Sequence, residues 1–203
     1  MIIRRERAAD RAAIAEVVRA AFVTHPDEVA LFVERIRASE EFVPRLALVA
    51  EDPSGVIGHV MLSWVGLEGG SRDRILNLTP MSVRPDRQRA GVGTRLITEV
   101  LGRAEQPGEP AVIVEGIPAY YPRFGFERAS ALGFVAPHPR IPDDAFMVKR
   151  LAGYTASLAG RIVYPAAFDV LGVLGRYTAA RPAFVRSSAA SAAGSSTVSA
   201  IAS

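Results

Sequence analysis

The sequence predicts a mixed α/β domain ending near Arg150, with its elements in the order β, α, α, β, β, β, α, β, α, β, β. Three observations carry that reading. Apolar residues recur at helical spacing between residues 14 and 36, and then switch to strand-like alternation between 46 and 83. A glycine-rich turn at 88–93 returns the chain to helical spacing.

Ile2 to Arg4 reads as a short opening strand. Asp10 is placed to cap the helix that follows, because its carboxylate can accept from the free amides of the first turn. Ile14, Val17, Val18, Ala21 and Phe22 fall on one face of that helix. Pro26, Asp27 and Glu28 open a second helix, with Val29, Phe32, Val33 and Ile36 on its apolar side. Leu46 to Ala50 is a compact strand closed by the turn Glu51-Asp52-Pro53-Ser54-Gly55, and Val56 to Leu67 is the other arm of a hairpin. Ile75 to Val83 is a further strand. Pro80 inside it marks a bulge or an edge, because proline removes a ladder donor.

The third helix presents Leu96, Ile97, Val100 and Leu101 on one face until Pro107-Gly108-Glu109-Pro110 ends it. Ala111 to Val114 is a buried-type strand and Pro118 to Phe124 a short helix; Gly125 turns the chain into strands at Phe126 onward and at Ala145 to Val148. The reading divides the chain into a domain over 1–150, an extension over 151–186 that packs on it, and a tail over 187–203. That tail is nearly all Ser and Ala, a composition too poor in large apolar groups to offset its ordering entropy, and is expected to be disordered.

The 203 residues include 24 basic and 21 acidic side chains, 3 His and no Cys, for a net charge of +3. The absence of cysteine removes disulfide frameworks, thiolate metal sites and cysteine nucleophiles together. The histidines at 25, 59 and 138 are scattered, so no metal is expected. Lys149 is the only lysine, and the arginines are interspersed with acids apart from Arg84, Arg87 and Arg89. There is no basic stripe interleaved with aromatics, so nucleic acid is not an expected partner. No apolar run is long enough to span a bilayer and the N-terminus has no apolar signal region, so the expectation is a cytoplasmic monomer or homodimer with no membrane partner.

Two stretches can carry chemistry. Gln88-Arg89-Ala90-Gly91-Val92-Gly93-Thr94 joins a strand to a helix, where unpaired amides and the positive end of the helix dipole meet. An anion such as phosphate suits that spot; the alternative is a tight turn that needs glycine only for its conformation. It is not a dinucleotide fingerprint, because the third glycine is missing, nor a Walker loop, because the lysine is missing. The second stretch, Tyr120-Tyr121-Pro122-Arg123-Phe124-Gly125-Phe126, sets a phenol on a short helix beside a strand; its alternative is a core tyrosine.

Together these stretches resemble the signatures of the GNAT N-acetyltransferase superfamily. Leu78-Thr79-Pro80-Met81-Ser82-Val83-Arg84-Pro85 running into Gln88–Gly93 and Leu96 is similar to its acetyl-CoA signature, and Tyr121 with Gly125-Phe126 to its Tyr-x-x-x-Gly-Phe signature. The double tyrosine and Tyr164-Pro165-Ala166-Ala167-Phe168 resemble the YhbS-like branch, and the likeness covers about residues 1–168. The resemblance implies a mostly antiparallel sheet with a V-shaped splay between two parallel strands and helices on both faces. It implies that acetyl-CoA is the co-substrate. Amides of Met81, Ser82 and Val83 would pair with its pantetheine arm, and those of Gln88, Arg89, Ala90, Gly91, Val92, Gly93 and Thr94 would hold its pyrophosphate.

Tyr121 would protonate the departing thiolate after direct attack by a primary amine of a small molecule or peptide. By offset, Asn77 stands where some members carry a glutamate base, and it cannot serve as one. Glu115 is the best substitute, against the alternative of a strand-end carboxylate paired with an arginine. His59 could relay a proton or be a satisfied structural residue. Asp143, Asp144 and Glu115 would favour a cationic acceptor. The competing function is a non-catalytic acyl-CoA sensor on the same fold.

Overall fold

One sheet carries two separate apolar cores, one on each face, and the computed structural model describes it over residues 1–105 and 108–171. The strands are β1 (Ile2–Arg5), β2 (Phe42–Asp52), β3 (Gly55–Glu68), β4 (Arg74–Val83), β5 (Ala111–Glu115), β6 (Glu127–Arg128), β7 (Phe146–Arg150) and β8 (Arg161–Val163). Their order is β1-β2-β3-β4-β5-β7-β6, with β8 added to the end of β3 at Gly66–Glu68. Every named pair is antiparallel except β4 with β5. The helices are α1 (Arg11–Ala21), α2 (Pro26–Arg37) and α3 (Val92–Glu105). The expected order of elements, the hairpin of β2 and β3, and helices on both faces are all present.

The faces follow from strand alternation. Met61, Val65, Ile75 and Ile113 point to the side covered by α1 and α2, where Ile14, Val18, Phe32 and Ile36 meet them. Val60, Leu62, Leu76, Val112 and Val114 point to the side covered by α3 through Leu96, Ile97 and Val100. The chain beyond β8 returns to the first core, where Phe168 packs edge-on against Phe32 with ring centroids 5.0 Å apart.

Two features make the opening in the sheet. β4 and β5 share only the registers Leu76↔Val112 and Asn77↔Ile113, so beyond Asn77 the two strands run on unpaired with each other. In the same stretch the β3–β4 ladder steps from Val60↔Met81 to Leu62↔Leu78, setting Thr79 and Pro80 against Met61 alone. That is a β-bulge, and it bends β4 away from its neighbour. Proline fits there because a bulged residue has no ladder bond to lose.

Several local expectations are corrected. Asp10 is the N-cap residue of α1, as expected, but its carboxylate caps no amide of that helix; it accepts from the Arg7 amide at 2.7 Å and from both terminal nitrogens of Arg4 at 2.7 and 2.9 Å. A guanidinium fork outcompetes the helix amides for the same oxygens. β2 begins at Phe42, earlier than the apolar run at 46–50, because the ladder to β3 extends past it. The strand expected from Phe126 is only Glu127–Arg128, and residues 118–120 precede the helical turn, which is Tyr121–Phe124. Residue 107, in the predicted helix stop, residues 172–186 of the predicted extension, and the predicted tail at 187–203 lie outside the described residues.

Candidate active site

The cleft opens where β4 leaves β5. It is lined by Met81, Ser82, Val83 and Gln88 from one arm, Ile117, Tyr120 and Tyr121 from the other, and Ala21 from the end of α1. Of the residues singled out from sequence, Met81, Ser82, Val83, Gln88 and Tyr121 therefore meet in one place.

Tyr121 is seated by its surroundings. Its ring contacts Tyr120 and Phe126 edge-on at 5.3 and 5.5 Å, and it crosses the backbone of Gly116 so closely that a Cβ there would fall 2.2 Å from Cε2. Burial pushes its hydroxyl pKa well above the ordinary phenol value, with Tyr120 adding in the same direction. The phenol thus holds its proton at neutral pH, the state a general acid needs. Tyr120 is itself held by Arg123, whose guanidinium lies 4.6 Å over the ring and whose Nε donates to the Tyr120 carbonyl at 2.9 Å.

The anion-binding end is the turn before α3. The amides of Val92, Gly93 and Thr94 begin the helix and have no acceptor one turn back; the first such bond is Arg95 to the Gly91 carbonyl at 3.0 Å. Gly91 has φ +80° and Arg89 φ +61°, the latter a left-handed conformation that costs a side-chain-bearing residue roughly 1 kcal/mol. Gln88 Nε2 donates back to the Val83 carbonyl at 3.1 Å, tying the turn to β4. The three arginines separate here. Arg84 is forked onto Asp86 at 2.6 and 3.0 Å, and Arg87 reaches Asp52 at 3.1 Å, whereas exposed Arg89 has no ion-pair partner among the described residues. Of these three, the cationic side chain left for an anion among the described residues is Arg89.

Glu115 stands apart from this lining. Alternation along β5 turns it, with Ala111 and Ile113, to the α1/α2 face, while Tyr121 packs in the α3-side core. The two candidates thus approach the splay from opposite faces. Glu115 Oε2 accepts from the Tyr164 hydroxyl at 3.3 Å, and Oε1 is buried without a partner among the described residues. Burial pushes its pKa up to about 8, and the Tyr164 hydrogen bond only partly opposes that. No arginine among the described residues pairs with it, so the strand-end ion pair is not what this side chain makes there. Asp143 instead lies 3.7 Å from Arg128 with both side chains largely exposed.

Sequence reasoning missed Gly116 and undervalued Tyr164. It also missed that Asn77 and Ser63, which face each other across β3 and β4, carry unpartnered buried Oδ1 and Oγ atoms among the described residues. Asn77 Nδ2 donates to Thr79 Oγ1, which fixes the amide at the vertex of the splay. Among the described residues no helix is long and apolar enough to cross a membrane.

Residues 44–128 match the acetyltransferase (GNAT) domain family. The chain is 34% identical over 153 residues to the uncharacterized N-acetyltransferase YhbS of Escherichia coli K12, covering 75% of this chain and 88% of that protein. It is 32% identical over 135 residues to the uncharacterized N-acetyltransferase YjhQ of the same organism, covering 64% and 74%. Among solved structures, Escherichia coli YhbS in complex with CoA superimposes with a TM-score of 0.74 at 31% identity, over 83% of this chain and 91% of that one. A GNAT family acetyltransferase from Brucella melitensis in complex with acetyl-CoA gives 0.67 at 32% identity, over 83% and 97%.

Proposed function

The chain belongs to the GNAT acetyltransferase family, and on that footing we propose that it transfers the acetyl group of acetyl-CoA to a primary amine of a small molecule or peptide by direct attack. The observation that carries the proposal is the cleft itself: the stretch of β4 at Met81–Val83, paired with β3 but not with β5, faces Tyr121 across the splay, with the α3 turn at one end. Two solved relatives, one holding CoA and the other acetyl-CoA, support the choice of donor.

Each group then has a task. The Met81–Val83 backbone offers a strand edge to the pantetheine arm, and a β4 amide stabilises the oxyanion. The turn from Gln88 to Thr94, with Arg89, binds the pyrophosphate. Glu115, with its pKa near 8, takes a proton from the acceptor ammonium on the α1/α2 side of the splay. Tyr121, on the α3 side, gives its proton to the sulfur as the C–S bond breaks. A domain over 1–150 with the described part of the extension, 151–171, against it fits this reading, since Tyr164 reaches Glu115.

The test is release of CoA thiol from acetyl-CoA across a panel of primary amines, with Tyr121→Phe beside the wild type. Turnover reduced roughly 10²-fold or more in the variant, with acetyl-CoA affinity kept, is the expected result. Acetyl-CoA binding with no thiol release from any amine would establish the sensor instead.

A further inference from the structure

The acetyl transfer proposed above leaves one proton without a route. An ammonium acceptor gives up two protons in becoming an amide: one before attack, and one from the nitrogen once it is bonded to the carbonyl carbon. Glu115 accounts for the first. We propose that the second leaves through Ser82 to His59, with Glu6 and Arg37 poised behind them.

Ser82 stands directly opposite His59 in the β3–β4 register. The bulge makes that possible: without the extra residue at Thr79-Pro80, Met81 rather than Ser82 would turn to the α1/α2 face. Directly opposed residues place their Cβ atoms about 5 Å apart, so a hydroxyl and an imidazole can join directly or across one water. Ser82 lines the cleft, and His59 lies fully buried behind it. Ser82 Oγ and His59 Nδ1 are both buried with no hydrogen-bond partner among the described residues. A histidine kept only for structure would have both ring nitrogens satisfied; this one has a nitrogen to spare, and the serine opposite it in the ladder has a hydroxyl to spare.

The other nitrogen settles the tautomer. His59 Nε2 lies 3.0 Å from Glu6 Oε2, and Arg37 donates to both oxygens of Glu6, from Nε at 2.7 Å and Nη2 at 2.9 Å. Clamped this way, Glu6 is a carboxylate and can only accept, so Nε2 carries the hydrogen and Nδ1 presents its lone pair. Burial lowers the proton affinity of His59, and Arg37 lowers it slightly more, while Glu6 and Glu34 oppose them. The imidazole is therefore neutral at rest. A weak base is sufficient, because a nitrogen bonded to the tetrahedral carbon is far more acidic than the free ammonium.

The step balances. The N–C bond forms and the C–S bond breaks, with its electron pair going to sulfur, which takes the proton of Tyr121. The second nitrogen proton passes to Ser82 Oγ as the serine's own passes to His59 Nδ1, giving an imidazolium beside Glu6. After product leaves, Tyr121 regains a proton and Glu115 and His59 each release one, a net of one proton to solvent. Ser82 is the cleft-side member of the relay, the one placed to meet the reacting nitrogen; His59 and Glu6 act through it as positioning residues. The inference rests on the acetyl-transfer reading.

The experiment compares wild type, Ser82→Ala, His59→Gln and the double variant by thiol release from acetyl-CoA, with 2-phenylethylamine and hydroxylamine as acceptors. Both single variants should lower kcat roughly 10²-fold with the KM for acetyl-CoA within about twofold, and the double variant should be no slower than the slower single one. Nitrogen-15 NMR of the three imidazoles should find His59 neutral at pH 7 with its proton on Nε2. Normal kcat in Ser82→Ala, or a His59 protonated on Nδ1, overturns the relay while leaving acetyl transfer standing. Wild-type protein that releases no thiol with either acceptor or any other amine overturns both. Ser82→Ala removes one oxygen, so it keeps the question open even where His59→Gln does not fold.

Discussion

Gly116 and Tyr121 are fitted to each other: a Cβ on Gly116 would lie 2.2 Å from Tyr121 Cε2 and 2.8 Å from Cδ2. The phenol is thus aimed by the chain that leads to it, with β5 ending at Glu115 and the next residue providing the floor under the ring. The Gly116 amide is also committed, donating to the Ala145 carbonyl at 2.9 Å, so the backbone there has little freedom to retreat. Gly116→Ala should push the ring out of place, lowering kcat at least about tenfold and stability by roughly 1–3 kcal/mol. Thiol-release kinetics and urea unfolding measure the two effects separately. Unchanged kcat would mean that the position of Tyr121 does not matter to turnover.

Glu115 should give the rate its acidic limb. A base with a pKa near 8 is mostly protonated at pH 7, so kcat/KM should rise with pH and level off above about 8. Glu115→Gln should remove that limb, and Tyr164→Phe should move it to higher pH, because the Tyr164 hydroxyl favours the charged form. Stability moves the opposite way. The folded pKa lies above the ordinary carboxyl value of 4.5, so the folded state holds the extra proton, and stability falls as pH rises from 4.5 to about 8. Thermal unfolding of Glu115→Gln should therefore lack this loss on the alkaline side.

The parts of this site visible in the sequence are those made by neighbours along the chain. The glycine turn before α3, the proline in β4 and the Tyr121–Phe126 run each announce a local geometry, and each geometry is found. What stayed hidden depends on register and return. Tyr164 reaches Glu115 across a separation of 49 residues, after the chain has added β8 to the far end of β3. Ser82 faces His59 only because the bulge sets two residues of β4 against one of β3. The position of Asp10 at the N-cap was legible but the partner of its carboxylate was not, for the same reason: capping is a local argument, and Arg4 on the adjoining strand competes for the same oxygens.

Arg89 sets conformational cost against charge. It holds a left-handed backbone at φ +61° that glycine would adopt without a penalty, and it has no ion-pair partner among the described residues. Arg89→Gly should leave thermal stability undiminished, because relieved strain offsets the freer unfolded chain. The same change should weaken CoA binding several-fold by calorimetry, with the loss shrinking as salt is raised. Weakened stability together with unchanged affinity would assign Arg89 to the fold rather than to the phosphate.

Arg37 offers the severest test of the buried network. Its side chain is 3% exposed and holds Glu6, itself 9% exposed, through two hydrogen bonds. Burial alone would raise the pKa of Glu6, but the hydrogen bonds from His59 and Arg37 outweigh it and bring the value down to about 2. Because that lies below the ordinary carboxyl value of 4.5, the carboxylate's contribution is present above 4.5 and is lost as pH falls from there toward 2. Arg37→Met strands Glu6 as a buried charge with only His59 beside it, which should cost about 3–5 kcal/mol at neutral pH. Protonation relieves the stranded carboxylate, so the gap to wild type in urea unfolding should narrow as pH is lowered toward 3. A gap that stays constant with pH would mean that Arg37 stabilises the fold through packing, with Glu6 indifferent to its charge.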